Sequence, residues 1–213
     1  MVGEHDPVQV EDHLRGPGGD ARSTRAGSLT SPGAIAEDMA SHLAWTEIVT
    51  PIGPFRLVGV GGVVLQAAWA PGPPPDLDAE RDDAALAEAA AEVVAWMAGE
   101  RTTFTVPVAP AGTPFQQMVW AAVRELPFGE TATYGGLAHH LRSPNGARAV
   151  GAANGANPIP LLIPCHRVIG ARGELVGYGG GTDVKAWLLD HERRVAGAGQ
   201  PPLPLGLRRR HDP

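Results

Sequence analysis

The chain contains a single cysteine, Cys165. That scarcity rules out an internal disulfide and any zinc site that needs several thiolates, so no metal is expected. There is no run of about eighteen apolar residues, so no stretch reads as a membrane-spanning helix. The N-terminus lacks a basic-then-apolar leader, and the expected location is the cytoplasm. Basic charge is in short supply too: 17 Lys and Arg stand against 23 Asp and Glu, a net charge of −6. As a bulk figure this argues against a nucleic-acid partner, but its distribution is uneven. From Pro114 to Arg194 there are eight Arg and Lys against six Asp and Glu, while the remainder holds nine against seventeen. A weakly basic part joined to an acidic part is compatible with DNA binding through one face. What is plentiful is Gly (28) and Pro (21), which points to loops or tails. With 213 residues, 43% of them hydrophobic, the chain can build one ordinary domain or two small ones.

Residues 1–43 mix Gly, Pro, Asp, Arg and Ser without apolar periodicity and read as a disordered tail. Trp45 to Ala70 reads as strands. Val58-Gly59-Val60 and Val63-Val64-Leu65 flank Gly61-Gly62, a pair suited to the positive φ of a two-residue hairpin turn. Pro51-Ile52-Gly53-Pro54 reads as an earlier turn, and a Pro/Gly linker follows from Pro71 to Pro75. Ala84 to Met97 is Ala-rich, carries Leu86, Val93, Val94 and Trp96, and stops at Gly99, which predicts a helix. Thr102 to Val108 reads as one more strand.

A second unit opens at Thr113-Pro114-Phe115-Gln116: a hydroxyl cap, Pro at the first helical position and Gln three residues after the cap. Its helix should end near Leu126, ahead of Pro127. Thr133 can cap a short helix from Tyr134 to Leu141. Ser143-Pro144 repeats the cap-then-Pro pattern and starts a helix to about Ala153, ending at Asn154-Gly155. Two short helices across a turn containing Asn145-Gly146 make a helix-turn-helix candidate, a pattern ordinary helical hairpins share. Ala147, Val150 and Gly151 form a small-residue stripe, and Arg148 lies off it, available to solvent or a ligand. Asp183 to Arg194 reads as a helix with Val184, Trp187, Leu188 and His191 on one face, and Glu192 at the edge of that face can point inward. After Ala196 comes a Gly/Pro-rich tail ending in Arg208-Arg209-Arg210, which reads as a solvated basic cluster.

The chemistry gathers after the apolar run Ile159 to Ile163, in Pro164-Cys165-His166-Arg167-Val168. A lone cysteine is either a small buried hydrophobe or a reactive centre. Its thiol is a poor nucleophile until it loses a proton, ordinarily near pH ~8.5. Neighbouring cationic or hydrogen-bonding groups lower that value, and an adjacent base can take the proton. His166 and Arg167 supply such groups in sequence, and a carboxylate such as Glu192 can orient the imidazole in a Cys-His-Glu relay.

PCHRV, with Asn157-Pro158 upstream and GYGGG followed by KAWLLDHE downstream, resembles the O6-alkylguanine-DNA alkyltransferase family. The likeness spans roughly Gly112 to Arg194 and takes in GTPFQ, the Tyr134 segment, RAVGAANGANP and PCHRVIG. It implies an α/β (α+β) fold: a tail over 1–43, a ribonuclease-H-like domain over 44–110, a catalytic and DNA-binding domain over 111–195, and a tail over 196–213. The catalytic domain would be mostly helical and winged-helix-like, with a helix-turn-helix. The implied activity is DNA repair by direct reversal, without a cofactor. An alkyl group moves from O6 of guanine, with O4-alkylthymine a further candidate, to Cys165, and the protein acts as a monomer on double-stranded DNA. Because the product is a thioether, each molecule acts once.

The resemblance also implies residue roles. Cys165 attacks the alkyl carbon in line. His166, through a water, and Glu192 deprotonate it. Tyr134 donates to the guanine ring and helps rotate the nucleotide, which must leave the stack because the alkyl carbon is buried inside the duplex. Backbone groups at Cys165 and Val168 recognise the exocyclic amine, and amides near Tyr178 and Gly179 face O6. Arg148 fills the vacated stack, Asn157 braces the turn before the active-site strand, and Ala147, Gly151, Ala152 and Ala153 suit a helix lying close in the minor groove. The chain carries no second cysteine cluster of the kind fused adaptive-response regulators have, and its intact Cys165 sets it apart from the alkyltransferase-like binders. Two rivals remain on the residues alone: a lesion-binding helix-turn-helix protein, and a cysteine hydrolase, whose His is normally distant in sequence and which needs an oxyanion pocket.

Overall fold

A computed structural model describes residues 42–143 and 146–199. The tails expected at the two ends fall outside these residues over 1–41 and 200–213, as do Pro144 and Asn145.

Alternating apolar residues and a Gly-Gly turn build the first half. Strands β1 (Ala44–Thr50) and β2 (Gly53–Val60) form an antiparallel hairpin, and β3 (Val63–Ala68) pairs antiparallel with β2. Gly61 and Gly62 take φ of 55° and 79°, the left-handed pair a tight hairpin turn requires. A fourth strand, β4 (Glu80–Arg81), joins the outer edge of β1 in parallel, giving the order β3-β2-β1-β4. Two charged residues have no readable period, so sequence reasoning missed it. The preceding linker is tied down: Arg56 donates to the carbonyls of Gly72 and Pro73, both at 2.9 Å, and the Gly72 amide donates to Glu47 at 2.6 Å.

Helix α1 (Ala87–Met97) covers the sheet with Leu57, Phe55, Val93 and Trp96 in the shared core. It starts after the expected Ala84 because the Asp82 carboxylate takes the amides of Ala84 and Ala85 into a turn. The strand expected over Thr102 to Val108 is a loop with one parallel bridge, Val64 to Val108. Glu92 accepts the amides of Thr105 and Val106, which removes the donors a ladder would use.

The second half is helical. Thr113 closes a complete capping box on α2 (Pro114–Arg124), which buries Val119, Trp120 and Val123. Thr133 caps α3 (Tyr134–His140) by accepting the Gly136 amide at 3.0 Å. Helix α4 (Ala147–Gly155) begins after Gly146 and not at a Ser143 cap; the Ser143 carbonyl accepts the Gly146 amide at 2.7 Å and turns the chain. Helix α4 packs on both α2 and α3, and the Trp120 indole donates to the Ala153 carbonyl at 2.8 Å. Two short strands, β5 (Ala132–Thr133) and β6 (Val168–Ile169), pair in parallel and set the start of α3 beside the segment after Cys165.

Helix α5 (Thr182–Gly199) continues past Arg194, so the tail expected from residue 196 begins as helix. His191, stacked on Trp187 with centroids 5.1 Å apart, donates to the Trp96 carbonyl at 2.9 Å and joins the two halves in one core. No helix among the described residues is long and apolar enough to cross a membrane.

Candidate active site

The run after α4 turns sharply back beneath the helix. Leu161, fully buried, holds a φ of 75°, a strained value for a branched side chain that persists only when the surroundings impose it. Asn157 supplies part of that imposition: its Nδ2 donates to the Ile163 carbonyl at 2.9 Å, and its Oδ1 accepts the Ile159 amide at 3.0 Å. The turn delivers Cys165 into a 3-10 turn, Cys165–Arg167, where a strand had been expected. Asn154, on the last turn of α4, donates to the Cys165 carbonyl at 3.2 Å, tying the helix to the thiol segment.

The structure pairs His166 with Glu192, and Cys165 stands next to His166 in the chain with no hydrogen bond to its ring. Cys165 is 4% exposed, and His166 and Glu192 are fully buried. His166 Nε2 lies 2.8 Å from Glu192 Oε1. A carboxylate only accepts, so Nε2 carries the proton and Nδ1 keeps a free lone pair; Nδ1 is buried and has no hydrogen-bond partner. Burial pushes His166 below its usual range despite the pull of Glu192, so the ring is neutral at pH 7. Burial alone would raise Glu192, but the hydrogen bond and charge of His166 and the Arg167 guanidinium outweigh it and hold the carboxyl ionised. The thiol behaves otherwise. Burial pushes Cys165 up to about 11, against smaller opposing pulls from Asn157 and Lys185. The resting group at neutral pH is therefore a thiol.

Arg167 does not serve the thiol. Its Nε and Nη2 donate to Glu192 at 2.8–3.1 Å and its Nη1 to the Leu126 carbonyl. The Gly129 amide donates to Glu192 Oε2 at 2.9 Å and completes the carboxylate's shell.

Tyr134 and Tyr178 wall the site. Burial raises the pKa of both hydroxyls. Tyr134 donates to the Val176 carbonyl at 3.0 Å, and its ring lies within 3.7 Å of where a side chain on Gly151 would begin. Tyr178 meets the His166 ring edge-on at 6.3 Å. Lys185, the chain's only lysine, is fully buried, and donates to the carbonyls of Val168 (2.7 Å) and Val176 (2.8 Å). It thereby closes the two edges of the site on each other. Burial lowers its pKa, with the Cys165 charge pulling the other way. Sequence reasoning missed Lys185, Asn154 and the Glu192 role of Arg167. One lysine in a chain whose other basic residues are all arginine was the signal available for the first.

Of the remaining expected residues, Gly151 faces Tyr134 and the others lie further out. Arg148 and Ala152 are exposed on α4, Ala147 and Gly151 are partly covered, and Gly179 is exposed in the segment before α5. Concavities of about 390 and 410 Å³ flank the relay, one behind Glu192 and one beside Pro164 and Arg167; Cys165 lines neither. No cluster of three or more His, Cys, Asp or Glu side chains suited to a metal occurs among the described residues. The arrangement can take a proton from a buried thiol at His166 Nδ1 and stabilise the resulting imidazolium with Glu192, which suits attack by sulfur on a group presented to Cys165.

A family model described as the DNA-binding domain of 6-O-methylguanine DNA methyltransferase matches residues 114–194. A methylated-DNA--protein-cysteine methyltransferase of Mycobacterium leprae (strain TN) is 45% identical over 146 residues, 68% of this chain and 88% of its own length. One of the same description from Methanosarcina acetivorans is 44% identical over 147 residues, 67% and 94% of the two lengths. Among solved structures, an O6-methylguanine methyltransferase of Mycobacterium tuberculosis superposes with a TM-score of 0.67 at 43% identity, covering 73% of this chain and 94% of that one. A structure from the same organism described as OGT in complex with DNA gives 0.68 at 43% identity, covering 71% and 94%.

Proposed function

The chain belongs to the methylated-DNA--protein-cysteine methyltransferase family, and on that premise we propose that it repairs double-stranded DNA by moving an alkyl group from O6 of guanine to its own Cys165. The observation that carries this reading is the buried Cys165 followed directly by a neutral His166, locked through Nε2 on Glu192 and with Nδ1 unpartnered.

As Sγ attacks the alkyl carbon opposite O6, the C–S bond forms and the C–O6 bond breaks. The thiol proton passes through a water to His166 Nδ1, and Glu192 stabilises the imidazolium. The electron pair returns to guanine, whose ring accepts a hydrogen bond from Tyr134 as charge develops; the hydroxyl exchanges its Val176 partner for the base. The backbone at Cys165 and Val168 recognises the exocyclic amine, the Val168 carbonyl by sharing it with Lys185, and amides near Tyr178 and Gly179 face O6.

The nucleotide reaches this site by rotating out of the duplex. Arg148 fills its place, while Ala147, Gly151 and Ala152 bring α4 close to the minor groove. Residues 44–110 then form a ribonuclease-H-like domain, and 111–195 a winged-helix-like catalytic domain with α3 and α4 as its helix-turn-helix. The exposure of Arg148 and the closeness of Gly151 to Tyr134 support this placement.

Intact-mass analysis after incubation with O6-benzylguanine tests the reading. A permanent benzyl gain on Cys165, reaching at most one per protein molecule, is expected. No gain would leave a lesion binder, and turnover with an unmodified thiol would leave a hydrolase.

A further inference from the structure

We propose that Trp69, in the sheet half of the molecule, sets the size of alkyl group the site accepts by holding Tyr178 in place. This rests on the alkyl-transfer reading and goes beyond it by assigning selectivity to a residue outside the reacting segment.

Trp69 lies just past β3, and its Nε1 donates to the Tyr178 hydroxyl at 3.0 Å, a bond between residues 109 apart in sequence. On the sheet side the indole is pinned against Phe55, with centroids 4.5 Å apart at 48°, and Phe55 is fully buried. On the site side it presses on the backbone of the glycine-rich segment: a Cβ placed on Gly180 would lie 2.5 Å from Trp69 Cδ1. The Tyr178 ring therefore sits between the indole and the imidazole of His166.

Apart from Tyr178, the segment 177–181 is held only through its backbone: the Gly181 amide donates to the Tyr178 carbonyl at 3.0 Å, and the Gly181 carbonyl accepts the Lys185 amide at 3.2 Å. Four of its five residues are glycine, and Gly177 and Gly181 take φ of 61° and 90°. Tyr178 is its one side chain beyond a hydrogen atom, so Tyr178 and the indole that grips it decide where this wall stands. The charge of Cys165 acts on the Tyr178 hydroxyl, and Tyr178 meets the His166 ring edge-on, so the wall stands close to the thiol. A methyl group demands the least space there. A benzyl group needs Tyr178 to yield, and yielding breaks the bond to Trp69.

Single-turnover transfer from duplex oligonucleotides carrying O6-methylguanine or O6-benzylguanine tests this in Trp69→Phe, Tyr178→Phe and the double variant. Trp69→Phe keeps an aromatic ring next to Phe55 and removes the donor together with part of the indole's volume, while Tyr178→Phe breaks the same bond with no change in ring size. The benzyl-to-methyl rate ratio should rise about fivefold, the equivalent of the roughly 1 kcal/mol such a bond contributes. Tyr178→Phe should raise the ratio equally, and the double variant no further. An unmoved ratio, equal slowing of both substrates, or additive effects in the double variant would overturn the proposal. If Trp69→Phe fails to fold, the ratio in Tyr178→Phe decides alone. Failure of the unaltered protein to take up either alkyl group would sink the alkyl-transfer reading instead, before the ratio is reached.

Discussion

In the sheet half, Glu92 of α1 is buried and accepts from Arg101, the Thr105 hydroxyl and the amides of Thr105 and Val106; in the helical half, Glu192 of α5 is buried and accepts from Arg167, the Gly129 amide and His166. The two shells match almost partner for partner: one arginine, backbone amide, one further donor. Around Glu92 that further donor is a hydroxyl, and the shell only closes a loop over the sheet. Around Glu192 it is an imidazole whose other nitrogen is unpartnered. One exchange, hydroxyl for imidazole, separates a brace from the relay proposed above, because only the imidazole can take up a proton on one side while holding the carboxylate on the other.

The sharpest test replaces each glutamate in turn. Glu192→Gln should slow alkyl transfer about a hundredfold or more, the scale of losing a positioned base. It should also cost about 3–5 kcal/mol of stability, because Arg167 is left buried without its charge partner. Glu92→Gln should cost about 1–3 kcal/mol and leave the transfer rate of the folded protein unchanged. Urea unfolding and single-turnover rates on the same preparations separate the two outcomes. A comparable rate loss in both variants would erase the distinction.

Acid should tell the halves apart by where stability begins to fall. Glu92 and Glu192 both have folded pKa values below 4.5, so the stability they supply is present above that value and is lost as pH falls beneath it. His166 is depressed below 6.5, so the unfolded chain binds its proton first, and stability declines once pH falls through about 6.5. The slope can reach about 1.4 kcal/mol per pH unit. Melting temperature against pH should therefore lose part of its decline between 6.5 and 4.5 in His166→Gln, whereas Glu92→Gln should alter the curve only below 4.5. Cys165 works in the opposite sense: raised from 9.0 to about 11, it supplies stability below 9 that is lost as pH climbs through that interval. Cys165→Ala should remove that alkaline loss.

The same two shells show what a sequence discloses. The His166–Glu192 pair was legible because PCHRV puts His166 beside Cys165 and helical spacing put Glu192 at the edge of a buried face. Gly61-Gly62 and Thr113-Pro114 were legible because turns and caps are local chemistry. Glu92 was not, since its partners follow 13 or 14 residues later in a segment whose apolar alternation read as a strand. Arg167 sits beside His166 in sequence, yet its direction depends on where α5 returns. Trp69 and Tyr178 meet across 109 residues, and neither residue's neighbours announce the other. Pairings made by long return of the chain leave no period and no motif to read.

The smallest expected effect asks whether a generic stabiliser becomes functional merely by standing near the site. Thr113 and Thr133 are both N-caps: Thr113 accepts the Gln116 amide at 3.3 Å and opens α2, and Thr133 accepts the Gly136 amide at 3.0 Å and opens α3. Replacing either with alanine removes one acceptor and should cost about 1 kcal/mol. Their surroundings differ. Thr113 begins a helix whose buried face is Val119, Trp120, Ala122 and Val123. Thr133 lies in β5, opposite Ile169, and the residue it caps into the helix is Tyr134 itself. Fraying that first turn should let the Tyr134 hydroxyl wander from the base, so Thr133→Ala should slow transfer about twofold to fivefold, while Thr113→Ala should leave the rate alone at a similar loss of melting temperature. Thr133→Ser, which keeps the accepting oxygen, should restore both. Equal slowing in the two alanine variants would mean that rate merely follows stability, and the position of the cap beside Tyr134 would carry no functional weight.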